Sequence, residues 1–231
     1  MSPEAKHSAD KQSTDKQSTD LLPLRERKKQ RTQRALADAA LQLFSEKGYS
    51  ATTLDELVDQ VEVSKRTFFR YFASKEDVAI AAETELWLTY IAQVEALDIQ
   101  GNLLTFLRET LITSLHHMPP DWTARYLLTR YVVAHAGGSV LYDHSEAASL
   151  KAQRQLLETL SEKLVRDCRE DVRFRMLGEL VLSAWRCGAS NWVAGRGAGK
   201  DADRGEGGLE RLIIRIEEAF DAIPSSLALA V

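Results

Sequence analysis

The chain has 231 residues, 44% of them apolar, with 30 Lys and Arg against 34 Asp and Glu. That apolar share excludes a wholly disordered chain, and the length suffices for one large or two small domains around a sizeable core. A formal charge of −4 excludes a uniformly basic nucleic-acid coat, and no stretch approaches the roughly 18 apolar residues of a membrane span.

The start of the chain is polar and lacks an apolar signal core. Its two cysteines, Cys168 and Cys187, are too few for a disulfide scaffold. A cytoplasmic protein with free thiols, lying on no membrane, is the expectation.

Residues 1–23 read as a disordered tail. The pentapeptide KQSTD recurs in tandem at 11–15 and 16–20 and has no apolar group to offset its ordering entropy. Residues 25–34 then carry six basic groups against one acid. A first helix is predicted over about 27–47, with Leu36, Ala40, Leu43 and Phe44 as its apolar stripe and Gly48 at its C-terminal cap. Thr53 and Glu56 form a capping box for a second helix, whose apolar face is Leu54, Leu57, Val58 and Val61. Glu62-Val63 is a tight connection, and Ser64 caps a third helix over Lys65 to Phe72.

Ser74 caps a helix over 75–97. Further helices are expected at 102–117, 121–135, 145–168, 170–194 and 207–222. No run alternates with period two, so no sheet is predicted. The fold class is all-α: a helix-turn-helix domain over 24–78, then a helical domain over 79–231. Residues 195–208 hold six of the twelve glycines and read as a flexible loop.

Residues 53–72 have helix-turn-helix spacing, which projects the second helix toward a major groove. Residues 64–75 hold four basic groups and no acid, whereas 81–231 hold 16 basic groups against 21 acidic ones. A polyanion-binding head on a body with another task fits that asymmetry; two solvated basic helix faces fit it as well. Lys65, Arg66, Thr67 and Arg70 occupy the first exposed turns of the second helix. Phe68, Tyr71 and Phe72 are spaced to pack inward.

The stretches LADAALQLFSEKGYSATTLDEL and VEVSKRTFFRYFASKEDV carry a recognisable pattern. Phe44, Gly48 and Tyr49 precede Thr52 and Thr53. Val63, Ser64, Thr67, Phe68, Phe69, Tyr71 and Phe72 follow, and Ser74-Lys75-Glu76 closes the run. Residues 36–78 thereby resemble the N-terminal domain of the tetracycline-repressor (TetR) family of bacterial transcriptional regulators. Glu62 stands where that family places Gly, and Phe69 where it often places Tyr.

The resemblance implies a double-stranded operator DNA partner. It implies base reading by Lys65, Arg66, Thr67 and Arg70, with Arg66 the candidate for a bidentate contact to guanine. Backbone contacts are implied at Thr53, Ser64 and Lys75, and at Phe69 through a sugar or thymine methyl. Lys28 and Arg31 of the basic run either follow the backbone or enter a minor groove; a solvated run is the plainer alternative.

For the body the resemblance extends only to class, and it implies a small-molecule effector and a homodimer. Pocket candidates are Trp87, Tyr90, Phe106, Trp122, Tyr126, Arg130, His135, Trp185 and Asn191; His117 is a further polar lead. The helix at 170–194 is apolar on two faces, and 207–222 carries another stripe. Phe174, Leu177, Val181, Ala184, Leu212, Ile213, Ile216 and Phe220 are therefore the expected dimer interface.

Two rivals stand beside this reading. One is a DNA-binding regulator without an inducer, controlled by a partner or by abundance. The other is an enzyme built on His116, His117, His135, His144, Asp143 and the cysteines, but no metal-site spacing, phosphate loop or nucleophile elbow supports it. No catalytic residue, metal or cofactor is expected.

Overall fold

A computed structural model describes residues 23–195, 205 and 207–229. The expected disordered tail, except Pro23, and most of the expected glycine-rich loop lie outside these described residues. Every regular element among the described residues is a helix.

The helices are α1 (Leu24–Lys47), α2 (Leu54–Gln60), α3 (Lys65–Phe69), α4 (Lys75–Ala79), α5 (Ala81–Ala96), α6 (Leu103–His116), α7 (Trp122–His135), α8 (Val140–Leu164), α9 (Val172–Val193) and α10 (Gly208–Leu227).

Local chemistry sets the N-terminal boundaries. The Gly48 N–H bonds Phe44 O at 3.1 Å and the backbone turns through φ +88°, a conformation glycine adopts without strain. The Thr53–Glu56 capping box opens α2. Between α2 and α3 the chain passes through Glu62 at φ +54°, where a side chain costs about 1 kcal/mol or more. The Ser64 hydroxyl accepts from Thr67 N at 3.1 Å and starts α3.

Regular α-helix stops at Phe69 rather than Phe72. The next amides reach three residues back, Arg70 N to Thr67 O and Tyr71 N to Phe68 O, so the last turn tightens. Phe72 is buried by this turn, as is Phe68.

The expected helix over 75–97 is two helices. At Ile80, φ −103° and ψ 19° break the ladder, and its side chain sinks into the N-terminal core. Helix α4 therefore packs with the head and α5 with the body. Helix α8 starts five residues earlier than expected, after Gly137-Gly138, and ends at Val165 in a left-handed cap.

Two apolar clusters result. One joins Leu36, Leu41, Phe44, Leu57, Phe68 and Ile80 to Val132, Val133 and Leu141 of α7 and α8. The other fills the body from Leu86 to Phe220. Polar contacts also tie head to body, among them Ser50 Oγ donating to Ala136 O at 3.3 Å. Arg34 pairs with Asp121, Thr129 Oγ1 donates to Ala79 O at 3.3 Å, and His144 Nε2 lies 2.7 Å from Asp77 Oδ1.

The expected dimer-interface residues require correction. Val181, Ala184, Leu212, Ile213, Ile216 and Phe220 are buried inside the single chain, and Phe174 and Leu177 are half-buried. The apolar faces of α9 meet α10 on one side and the body core on the other. At their crossing, a Cβ on Gly188 would lie 2.7 Å from Arg215 O and Ile216 Cα. The outward faces instead carry Val172, Met176 and Cys187 on α9 and Ile214 on α10.

Candidate nucleic-acid interface and body cavity

Helices α2 and α3 hold the candidate DNA surface. Phe68 anchors α3, fully buried, with its ring 5.4 Å from Phe69 and 5.7 Å from Phe72. That anchor turns Lys65, Arg66, Phe69 and Arg70 outward, all exposed. Their engagement differs. Lys65 Nζ lies 2.6 Å from Asp55 Oδ1 on α2. Arg70 Nη2 donates to the Tyr71 hydroxyl at 3.0 Å, its guanidinium 4.9 Å from that ring. Thr67 is half-buried, its hydroxyl 3.0 Å from Ser64 Oγ.

Arg66 has no hydrogen-bond or ion-pair partner among the described residues. Phe69, three residues on and 54% exposed, shares its face of the helix.

Two expected backbone contacts are revised. The Thr53 N–H is consumed by Glu56 Oε2 at 2.9 Å, so Thr53 caps its own helix rather than offering that amide to a phosphate. Glu56 is held in turn by Lys47 at 2.8 Å, and hydrogen bonds from Lys47 and Thr53 lower its pKa to about 2.

The Lys75 ammonium turns inward. It donates to Tyr49 O at 2.7 Å and Thr52 O at 2.9 Å and sits 4.0 Å from the centre of the Tyr49 ring. Burial lowers its pKa. Two of its three N–H groups are thus spent on joining α4 to the loop before α2.

Lys28 and Arg31 are exposed on α1, one turn apart. The basic run is helical from Leu24, so these cations are fixed along a helix face instead of a loose arm.

In the body, a cavity of about 590 Å³ opens between α5, α7, α8 and α9. Of the expected pocket residues, Trp87, Tyr126, Arg130, Trp185 and Asn191 line it. Tyr90, Phe106 and Trp122 do not. Trp122 is fully buried with Nε1 donating to Ala82 O at 2.9 Å, the Tyr90 hydroxyl donates to Leu107 O at 3.2 Å, and Phe106 is core. His135 is exposed and stacks on Tyr131, and His117 bonds its own helix.

The polar floor of this cavity was missed from sequence. Glu83, 6% exposed, accepts from Arg130 Nη1 at 2.8 Å and from Ser145 Oγ at 2.5 Å. Arg186 pairs with Glu146 at 2.7 Å nearby. A charge at the buried register of a helix, as Glu83 is between Ala82 and Leu86, was the available signal.

Residues 36–82 match the family described as bacterial regulatory proteins, tetR family. The HTH-type transcriptional regulator TcmR of Streptomyces glaucescens is 44% identical over 72 residues, 31% of this chain and 32% of TcmR. IcaR of Staphylococcus aureus, the biofilm operon icaADBC HTH-type negative transcriptional regulator, is 42% identical over 43 residues, 19% of this chain and 23% of IcaR. The chain thus spans less than a third of either relative's length. A transcriptional regulator structure from Aquifex aeolicus aligns over 86% of this chain and 99% of its own, at 17% identity and a TM-score of 0.47.

Proposed function

We propose that this chain, whose residues 36–82 match the tetR family of bacterial regulatory proteins, is a transcriptional repressor that binds a near-palindromic operator as a homodimer and leaves it when a small molecule fills the body cavity. The observation that carries the DNA reading is the outer face of α3, where Arg66 stands without a partner among the described residues, beside the exposed Phe69. A free guanidinium offers a fork to the O6 and N7 of guanine, and an exposed ring offers contact to a neighbouring thymine methyl. Lys65 and Arg70 are held by their own neighbours and act as secondary readers. Lys28 and Arg31 follow the phosphates.

The sensor half rests on the cavity and on its place in the chain. Arg130 and Ser145, which hold Glu83, each directly follow a residue that contacts α4, Thr129 and His144. A ligand that disturbs this floor thereby acts on the helix that closes the head. The repressor sign follows the printed role of IcaR. A cavity of this size favours a sensor over the reading without an inducer.

Genome-wide recovery of bound DNA, followed by footprinting of the recovered site, tests the proposal. One protected near-palindrome upstream of a gene whose transcription rises on deletion of the regulator is the expected result. Recovery of unrelated sequences without a shared motif would overturn it.

A further inference from the structure

The walls of the body cavity constrain what can enter. Four charged side chains line it, and they pair: Arg130 with Glu83 at 2.8 Å and Arg186 with Glu146 at 2.7 Å. The lining is therefore neutral, and a charged ligand would bring an uncompensated ion into a partly enclosed site. Both oxygens of Glu83 are engaged, by Arg130 and by Ser145.

Donors remain. Tyr126 is 4% exposed, lines the cavity and makes no hydrogen bond among the described residues. Burial raises its pKa, so the phenol keeps its proton at neutral pH. Arg130 spends only Nη1 on its partners. Tyr126 and Arg130 stand four residues apart on α7, so their free donors share one face, a turn apart. Ser149, 8% exposed, adds a further buried hydroxyl to the lining.

The apolar wall is aromatic. The Trp185 ring lies 5.7 Å from Trp87 and 5.5 Å from Tyr126, edge to face in both cases. Such surfaces favour a flat ring system over an aliphatic chain.

We propose that the cavity takes an uncharged, flat aromatic molecule bearing a carbonyl oxygen, and that the Tyr126 hydroxyl and the Arg130 guanidinium receive that oxygen. The assignment rests on the reading of this cavity as the effector site. It goes beyond that reading in naming the ligand's charge, shape and polar group.

Four flat tricyclic probes test it by quenching of tryptophan fluorescence in the full-length protein: fluorenone, fluorene, fluorenone carboxylate and the cation aminoacridine. Fluorenone is expected to quench saturably and to bind about fivefold tighter than fluorene, the worth of one added hydrogen bond. Both charged probes are expected to bind more weakly than fluorenone. Tyr126→Phe keeps the ring and removes only the donor, so it should shrink the preference for fluorenone over fluorene and leave fluorene affinity unchanged. Ser190→Phe, an exposed position on the lining, should block all four probes without disturbing the core.

The proposal falls if fluorenone fails to saturate, if a charged probe binds tightest, or if the preference persists undiminished in Tyr126→Phe. Operator affinity measured with and without fluorenone separates the two readings. Saturable fluorenone binding that leaves operator affinity unaltered counts against effector-driven release and leaves the ligand chemistry standing. Loss of fluorenone binding with intact operator binding sinks the ligand chemistry alone.

Discussion

Adjacent cations on α3 meet different fates, and the difference assigns them different work. Lys65 is drawn back by Asp55, whereas Arg66 has no partner among the described residues. Arg66→Ala should cost about 1–3 kcal/mol in operator binding and relax base preference at one position of each half-site. Lys75→Ala should behave otherwise, because its ammonium holds the carbonyls of Tyr49 and Thr52. It should lower folding stability by about 1–3 kcal/mol, the range for hydrogen bonds to a charged group. Denaturant titrations of both variants, run beside binding profiles over randomised sites, check this; equal stability loss in the two would defeat the distinction.

Glu56 adds a pH dependence whose sign is fixed. Its folded pKa, about 2, lies below the ordinary 4.5. The unfolded state therefore binds the proton more readily as pH falls. The stabilisation is present above about pH 4.5 and is lost as pH falls toward 2. Glu56→Gln should flatten the acid limb of the stability profile over that interval, measured by unfolding at stepped pH. An unchanged limb would remove Glu56 as a contributor.

At the scale of elements, Gly188 shows how magnitudes decide a sign. In a solvated helix interior, Gly→Ala gains about 1 kcal/mol. Here the new Cβ would sit 2.7 Å from backbone atoms of Arg215 and Ile216, which cannot rotate away as a side chain would. Gly188→Ala should therefore destabilise the chain by about 1–3 kcal/mol through separation of α9 and α10. Thermal unfolding reads this directly, and a raised melting temperature would refute the close crossing.

The same elements mark what sequence conveys. The head was legible because its signals are local: Gly48, the Thr53–Glu56 box and the Ser64 cap each name their own turn. The break at Ile80 was not, since residues 75–97 keep helical periodicity through it and tertiary packing sets the bend. The cavity was half legible. Arg130, Trp87, Tyr126 and Trp185 line it as expected and Tyr90, Phe106 and Trp122 do not, while Glu83 and Ser145 reach the same point from α5 and α8, and no spacing in the sequence records that meeting. The apolar stripes of α9 and α10 were real, yet an amphipathic pattern does not say whether its partner is the same chain or another copy.

That ambiguity sets the test for the whole molecule. If two heads read one near-palindrome, the two-fold partner must cover surface that the single chain leaves open. Ile216 is fully buried within the chain, so Ile216→Glu places an unpaired charge in the core and should simply unfold it. Met176, 54% exposed, and Ile214, 42% exposed, lie on the outward faces of α9 and α10. The double variant Met176→Glu, Ile214→Glu should keep the folded helical content and run as a monomer in light scattering. It should also lose tight operator binding, although residues 25–75 are untouched. Salt provides the second arm. Each phosphate neutralised contributes about −0.9 to the slope of log affinity against log salt, so two heads with Lys28 and Arg31 give a slope of about −4, and one head about half of that. A double variant that stays dimeric would move the interface off these faces. A wild type that binds its operator tightly as a monomer, with the shallower slope, would remove both the dimer and the reason to expect a palindrome.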